Sequence, residues 1–235
     1  CVMPKKITML TCYDANTAGI MERGGIAYLL VGDSVGMVVY GYPDTRSVTM
    51  DDMIRHVQAV RNGAKKSKII ADMPIGSDST PKMALENAGR LIASGADMVK
   101  LEGAKFEVIE FLIKNSVHVF GHLGLLPQTA EKFCMQGKDE KEADRIFCES
   151  MDLDALGVSG IVLECVPADL SKRITEAVEC PTIGIGAGKD CDGQVLVVND
   201  ILGLGQRAPS FAKQYVDLNP LIEQAVGEFV GDVNS

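Results

Sequence analysis

Tryptophan is absent from this 235-residue chain, and aromatic residues of all kinds make up only 5% of it. An aromatic-lined groove for stacking flat ligands is therefore not expected, and the core must be mainly aliphatic. Histidine occurs three times, at His56, His118 and His122, which leaves little scope for a multi-histidine zinc site or for haem ligation. The seven cysteines are scattered without a C-x-x-C pair and read as reduced thiols, most of them small buried hydrophobes, in a reducing compartment; a cytoplasmic protein is expected. No apolar run approaches the ~18 residues that a bilayer span requires. Basic residues are outnumbered 23 to 32, for a formal charge of −9, so nucleic acid and anionic membrane are not expected partners. The opening stretch, residues 1–6, has no apolar segment of signal-peptide type. Because it begins on Cys1 instead of Met, residues preceding it are expected.

What is abundant is glycine, 24 residues of it, in a chain that is 46% hydrophobic and 23% charged, the balance of a globular protein. Short apolar runs bounded by Gly, Pro and Asp recur at 7–11, 28–33, 68–72, 98–102, 117–122, 161–164, 182–186 and 194–198. Runs of this kind suit strands buried on both faces in a parallel sheet. Helix signals fall between them. Thr49 is placed to cap a helix with Asp51 and Asp52 in its first turn and Met50, Met53, Ile54, Val57 and Val60 on one face. Thr80-Pro81 opens another, with Ala84, Leu85, Ala88, Leu91 and Ile92 on one face and Gly95 at its end. Weaker helical patterns cover 105–115, 140–156 and 169–179. Strand–helix alternation of this length fits a closed (β/α)8 TIM barrel or an open doubly wound sheet. The first run is not followed by a glycine-rich phosphate turn, which favours the barrel, as one domain over residues 1–235.

Four of the apolar runs end in an acid: Asp33, Asp72, Glu102 and Glu164. In a parallel barrel all carboxyl ends of strands lie on one face, so residues far apart in sequence would converge there. Crowded carboxylates need a neutralising cation, and Mg2+ with Asp oxygens and waters as ligands would supply it. Strand alternation puts Met98, Lys100 and Glu102 on one face. Lys100 would then bind an anionic substrate or pair with Glu102, and Glu102 would support the metal directly or from behind. A lone acid after a strand also serves as a helix cap or turn former; for Glu164 the competing reading is a turn before Pro167.

Other motifs are less specific. His118-x-x-x-His122 lacks the Glu of a zincin and sits in a β-like run, so a hydrogen-bonding role for His122 is the better reading. Gly184-Ile185-Gly186-Ala187-Gly188 is only superficially a dinucleotide loop and suits close backbone approach at the barrel mouth.

Seven segments in order resemble the ketopantoate hydroxymethyltransferase family. They are Val31-Gly32-Asp33-Ser34-Val35-Gly36-Met37, Ala71-Asp72-Met73-Pro74, Met98-Val99-Lys100-Leu101-Glu102-Gly103, Gly121-His122-Leu123-Gly124-Leu125-Leu126-Pro127-Gln128, Leu163-Glu164-Cys165-Val166-Pro167, Ile183-Gly184-Ile185-Gly186-Ala187-Gly188 and Asp192-Gly193-Gln194. The resemblance runs from Thr8 to Tyr215. It implies a barrel of the phosphoenolpyruvate/pyruvate superfamily. It implies transfer of a one-carbon unit from 5,10-methylenetetrahydrofolate, as co-substrate, to 3-methyl-2-oxobutanoate, giving 2-dehydropantoate for pantothenate and coenzyme A synthesis. By the same resemblance Asp33 and Asp72 hold Mg2+ or a similar divalent cation, with Glu102 completing or supporting that metal site, and Asp33, Ser34, Asp72 and Lys100 contact the keto acid. Glu164 is the proton acceptor and His122 an auxiliary substrate-site residue. A homo-oligomer, a decamer by family analogy, is implied. The segment 131–137 is shorter than the family pattern, which carries a glycine-rich element before V-Q-G, and the family's F-P-x-x-x-H tail does not follow Asp232.

The chemistry of the residues agrees with this. Taking a proton from carbon 3 of a 2-oxo acid needs a stabilised oxyanion and a positioned base, and Glu164 is the acid left once metal duties are assigned. The one-carbon unit arrives either as a folate iminium or as formaldehyde. A Mg2+-dependent C–C or C–P lyase of the same superfamily is the alternative enzyme, although a K-K-C-G-H loop is lacking. A catalytically dead barrel serving as a binding protein is the non-enzymatic alternative.

Overall fold

The computed structural model describes residues 6–205 and 208–235; Cys1 and most of the opening stretch considered above lie outside them. In chain order the elements are β1 (Ile7–Thr11), α1 (Ala15–Arg23), β2 (Tyr28–Val31), α2 (Val35–Val38), α3 (Met50–Gly63), β3 (Lys68–Asp72), α4 (Pro81–Ala93), β4 (Met98–Glu102) and α5 (Phe106–Lys114). Then come β5 (Val119–Gly124), α6 (Glu140–Leu156), β6 (Gly160–Glu164), α7 (Ala168–Ala177), β7 (Thr182–Ile185), β8 (Gly193–Leu196), α8 (Val198–Leu202) and α9 (Asn219–Asn234). The strands pair in parallel in sequence order, and β1 pairs with β8 to close a (β/α)8 barrel.

Local chemistry sets the helix starts. The Thr49 hydroxyl accepts from the Asp52 amide while the Asp52 carboxylate accepts from the Thr49 amide, a reciprocal capping box at α3. Thr80 caps α4, with Pro81 at the first helical position, where no amide donor is needed. Asp14 and Asp139 cap α1 and α6 in the same way. The expected apolar faces turn inward: Met53, Val57 and Val60 of α3 and Ala84, Ala88 and Leu91 of α4 are buried, whereas Ile92 is partly exposed. Each fully buried large aliphatic side chain contributes about 1.5–3 kcal/mol relative to exposure.

Alternation along the strands divides the core. Leu29, Val31, Ile69, Ala71, Val99 and Leu101 face outward against the helices. Met9, Leu30, Ile70, Phe120, Val162, Ile183 and Val195 fill the barrel interior. One step of two residues towards the carboxyl end changes the interior chemistry. Ile70 is followed by Asp72, Met98 by Lys100 and Glu102, Phe120 by His122, and Val162 by Glu164. The barrel is thus apolar below and ionisable at its mouth.

Some boundaries differ from the sequence reading. β5 begins at Val119, two residues later than expected, because the Val117 amide donates to Leu112 O in closing α5 and Ser116 takes a left-handed φ of 64°. β2 ends at Val31, leaving Asp33 in the turn that leads into α2. The eighth run stops at Leu196, and Val198 opens α8. Helix α9 was not anticipated: its apolar residues recur at helical spacing, but Gly227 and Gly231 weaken the signal by about 1 kcal/mol each. It buries no residue, and Leu221, Ile222, Val226, Phe229, Val230 and Val233 are all at least half exposed. Among the described residues no helix is long and apolar enough to cross a membrane.

Candidate active site

Four neighbouring strands contribute one continuous string of side chains at the barrel mouth. Lys100 Nζ lies 3.0 Å from Asp72 Oδ1 and 3.2 Å from His122 Nδ1. His122 Nε2 lies 3.1 Å from Glu164 Oε2. The order β3–β4–β5–β6 follows from register: Asp72 is the Cα partner of Lys100, Glu102 of His122, and Glu164 of Gly124. The Lys100 ion pair is therefore with Asp72 on the adjacent strand, not with Glu102 two residues along its own strand.

The string has a defined protonation pattern. Burial disfavours the Lys100 ammonium, but Asp72, Glu102 and Asp33 outweigh it and hold its pKa above the ordinary lysine value. An ammonium only donates, so His122 Nδ1 accepts and the imidazole proton is assigned to Nε2. Burial, and then the Lys100 charge, hold His122 below the usual histidine range against the opposing pull of Glu164. The ring is neutral at neutral pH, with Nε2–H on the Glu164 side. The Nε2–Oε2 approach is off the N–H direction, so Nε2 is buried without a hydrogen bond; Asp72 Oδ1, beside the ammonium, is likewise unbonded.

Asp33 and Glu102 complete the acid cluster. The Asp33 amide donates to Asp72 Oδ2 at 3.1 Å. Gln128 reaches in from the segment after β5: its Nε2 donates to Asp33 Oδ2 at 2.8 Å and to Met73 O at 2.9 Å, and its backbone amide donates to Glu102 Oε2 at 3.1 Å. Ser34 Oγ is 2.9 Å from the hydroxyl of the buried Tyr13, whose own carbonyl is contacted by His56 Nδ1 at 2.6 Å. Burial, with Asp72 adding to it, pushes the Asp33 carboxyl up to about 7 despite Lys100 and Gln128. Burial pushes Glu102 up to about 8 despite Lys100.

This donor set fits a divalent cation. Asp33, Asp72 and Glu102 are each no more than 5% exposed, and three carboxyls crowd around one ammonium, which pairs with Asp72 Oδ1; the upward shifts of Asp33 and Glu102 follow from that burial and crowding, and a bound cation would favour their charged forms. Among the described residues no three His, Cys, Asp or Glu side chains are gathered into a ready-made cage. Mg2+ does not need one. It keeps several waters and takes one or two carboxylates, which Asp33 and Asp72 could provide, with Glu102, already accepting from Gln128, in support.

Every site residue expected from the sequence, Asp33, Ser34, Asp72, Lys100, Glu102, His122 and Glu164, lies at this mouth. His118 does not. It precedes β5 at the other end of the strand, exposed, about 13 Å of extended chain from His122, too far to share an ion with it. Gly186 and Gly188 serve close approach: a Cβ at Gly186 would sit 2.9 Å from the Phe211 ring and one at Gly188 2.5 Å from Ala168. Tyr13 and Gln128 carry contacts that the sequence reading did not assign. Tyr13 lies two residues beyond the carboxyl end of β1, as Asp33 does beyond β2, and that placement was its available signal.

The model of the family described as ketopantoate hydroxymethyltransferase matches residues 3–235. A curated relative from Desulfotalea psychrophila (strain LSv54 / DSM 12343), named 3-methyl-2-oxobutanoate hydroxymethyltransferase, is 46% identical over 239 aligned positions, covering 98% of this chain and 86% of the relative. Among solved structures, 2,3-dimethylmalate lyase, described as a PEP mutase/isocitrate lyase superfamily member, superposes with a TM-score of 0.63 at 14% identity, covering 98% of this chain and 83% of the other. Phosphonopyruvate hydrolase in complex with oxalate and Mg++ superposes with a TM-score of 0.65 at 13% identity, covering 97% and 80%. At these identities the structural likeness shows the fold.

Proposed function

Since this chain belongs to the ketopantoate hydroxymethyltransferase family, we propose that it transfers a one-carbon unit from 5,10-methylenetetrahydrofolate to 3-methyl-2-oxobutanoate, forming 2-dehydropantoate in pantothenate and coenzyme A synthesis. The observation that carries this reading is the string Asp72–Lys100–His122–Glu164, which sets a carboxylate base and an ammonium on either side of one neutral imidazole.

Each residue then has a task. The Lys100 ammonium attracts the anionic keto acid, and Asp33, Ser34, Asp72 and His122 surround it. Ser34 presents a hydroxyl held by Tyr13. Glu164 takes the proton from carbon 3. Its side chain, at 15% exposure, is the most accessible of the four acids, where an arriving substrate meets it. His122 Nε2 lies 3.1 Å from that carboxylate without a hydrogen bond to it, so its N–H remains available to the keto acid. Mg2+ held by Asp33 and Asp72, with Glu102 in support, would supply Lewis-acid stabilisation of the charge that develops on the keto oxygen. Both C–N bonds of the folate methylene break: one gives way to the bond with carbon 3 and the other to a bond with a water oxygen, which becomes the hydroxyl, and tetrahydrofolate leaves with the carbon-3 proton and one water proton on its two freed nitrogens.

The partners proposed are the keto acid, the folate and further copies of the chain, the last supported by the exposed apolar side chains of α9. The cytoplasm is the proposed compartment, since Cys12, Cys180 and Cys191 are buried free thiols of the kind a reducing compartment preserves. Incubation with 3-methyl-2-oxobutanoate, 5,10-methylenetetrahydrofolate and Mg2+, with NMR detection of product, tests the assignment. Formation of 2-dehydropantoate is expected; no product from folded protein with all three present would overturn it.

A further inference from the structure

Gln128 is the polar side chain at the mouth whose contacts the proposed reaction does not use. It is 4% exposed, and it arrives from the segment after β5 to touch groups from three other strand ends. Its amide nitrogen has two hydrogens and two acceptors, Asp33 Oδ2 at 2.8 Å and Met73 O at 2.9 Å. Neither acceptor could face the amide oxygen favourably, so the orientation of the amide is determined. Its backbone N–H takes Glu102 Oε2 at 3.1 Å. One residue therefore holds two acids of the cluster and the main chain immediately after the third.

The chemistry of that hold is specific. Gln128 is a neutral donor. It satisfies one oxygen of Asp33 without bringing a second fixed positive charge next to Lys100, which would repel a divalent cation. Asp33 Oδ2 is taken up, while Oδ1 accepts no hydrogen bond from any described residue. A hydrogen bond of this kind fixes the rotamer of a metal-binding carboxylate and decides which of its oxygens is free.

We propose that Gln128 is a positioning residue for the divalent-cation site, acting through Asp33. The proposal rests on the metal reading given above. Its test is calorimetric titration of Mg2+ into the parent, Gln128→Met, Asp33→Asn and the double variant, with thermal unfolding of each. Methionine keeps the length and much of the volume of glutamine but has no donor, and the backbone bond to Glu102 survives. Gln128→Met is expected to weaken Mg2+ binding by about tenfold or more while leaving the unfolding temperature near the parental value. Asp33→Asn is expected to weaken it also, and the double variant to bind no more weakly than Asp33→Asn alone, because residues acting as one unit are non-additive. Parental affinity in Gln128→Met alongside lost affinity in Asp33→Asn would overturn the proposal and leave the metal reading standing. Additive losses in the double variant would also overturn it, since Gln128 would not then act through Asp33. Parental affinity in Asp33→Asn would overturn both. If Gln128→Met does not fold, Gln128→Asn, which keeps the amide but withdraws it by one methylene, takes its place with the same expectations.

Discussion

His122 Nε2 lies 3.1 Å from Glu164 Oε2 while Nδ1 of the same ring lies 3.2 Å from the Lys100 ammonium, so one imidazole separates the assigned base from the buried cation. The ring is held neutral by burial and by Lys100. A neutral ring beside Glu164 adds no second positive charge to the string.

Glu164→Gln is expected to retain the fold and keto-acid binding, because Lys100 and the two aspartates remain. It should lose proton abstraction, since a carboxamide is a very poor acceptor of a carbon-bound proton. General-base catalysis contributes about 10²–10⁴-fold, and a loss of that size is expected in exchange of the carbon-3 proton of 3-methyl-2-oxobutanoate in D2O, followed by NMR without folate. Exchange at the parental rate would move the base role to another group.

Asp33→Asn and Asp72→Asn each remove a formal charge from the cluster and leave an oxygen of similar size. Both should bind Mg2+ at least tenfold more weakly, the scale on which even supporting groups act. Titration calorimetry is the check, and unchanged affinity in both variants would remove the metal assignment.

Asp97 offers a pH test away from the site. Burial raises its carboxyl, but the Ile69 amide, Lys68 and Arg61 outweigh burial and hold it below the ordinary aspartate range. A depressed folded pKa contributes stability that is present above the unfolded value, about 3.9, and is lost as pH falls through the lower folded value. Asp97→Asn should therefore be less stable than the parent at pH 7, and the gap should narrow as pH falls below about 4. Urea unfolding across that range would contradict this if the gap stayed constant.

The apolar side chains along α9 predict self-association. Sedimentation of the parent should give species larger than the 25.2 kDa chain, and Phe229→Lys, at a residue 68% exposed, should shift the distribution downward. A parent that sediments only as monomer at micromolar concentration would remove the homo-oligomer from the proposed function.

Strand positions and helix starts were legible in the sequence because they are local. The alternation Met98, Lys100, Glu102 is a property of one extended segment, and the Thr49–Asp52 cap spans four residues. The acids at the ends of apolar runs were visible for the same reason, and a parallel closed sheet gathers them on one face whatever the loops between them do. The sequence motifs alone indicated the family. Tertiary structure alone decided who touches whom. Lys100 pairs with Asp72 because cross-strand register brings together residues from different runs. Gln128 reaches Asp33 across 95 positions, and Tyr13 holds Ser34 across 21, because closing the barrel makes neighbours of segments that no local periodicity connects. Side-chain partnership at the mouth depends on strand register and loop path, and both are set by packing of the whole barrel.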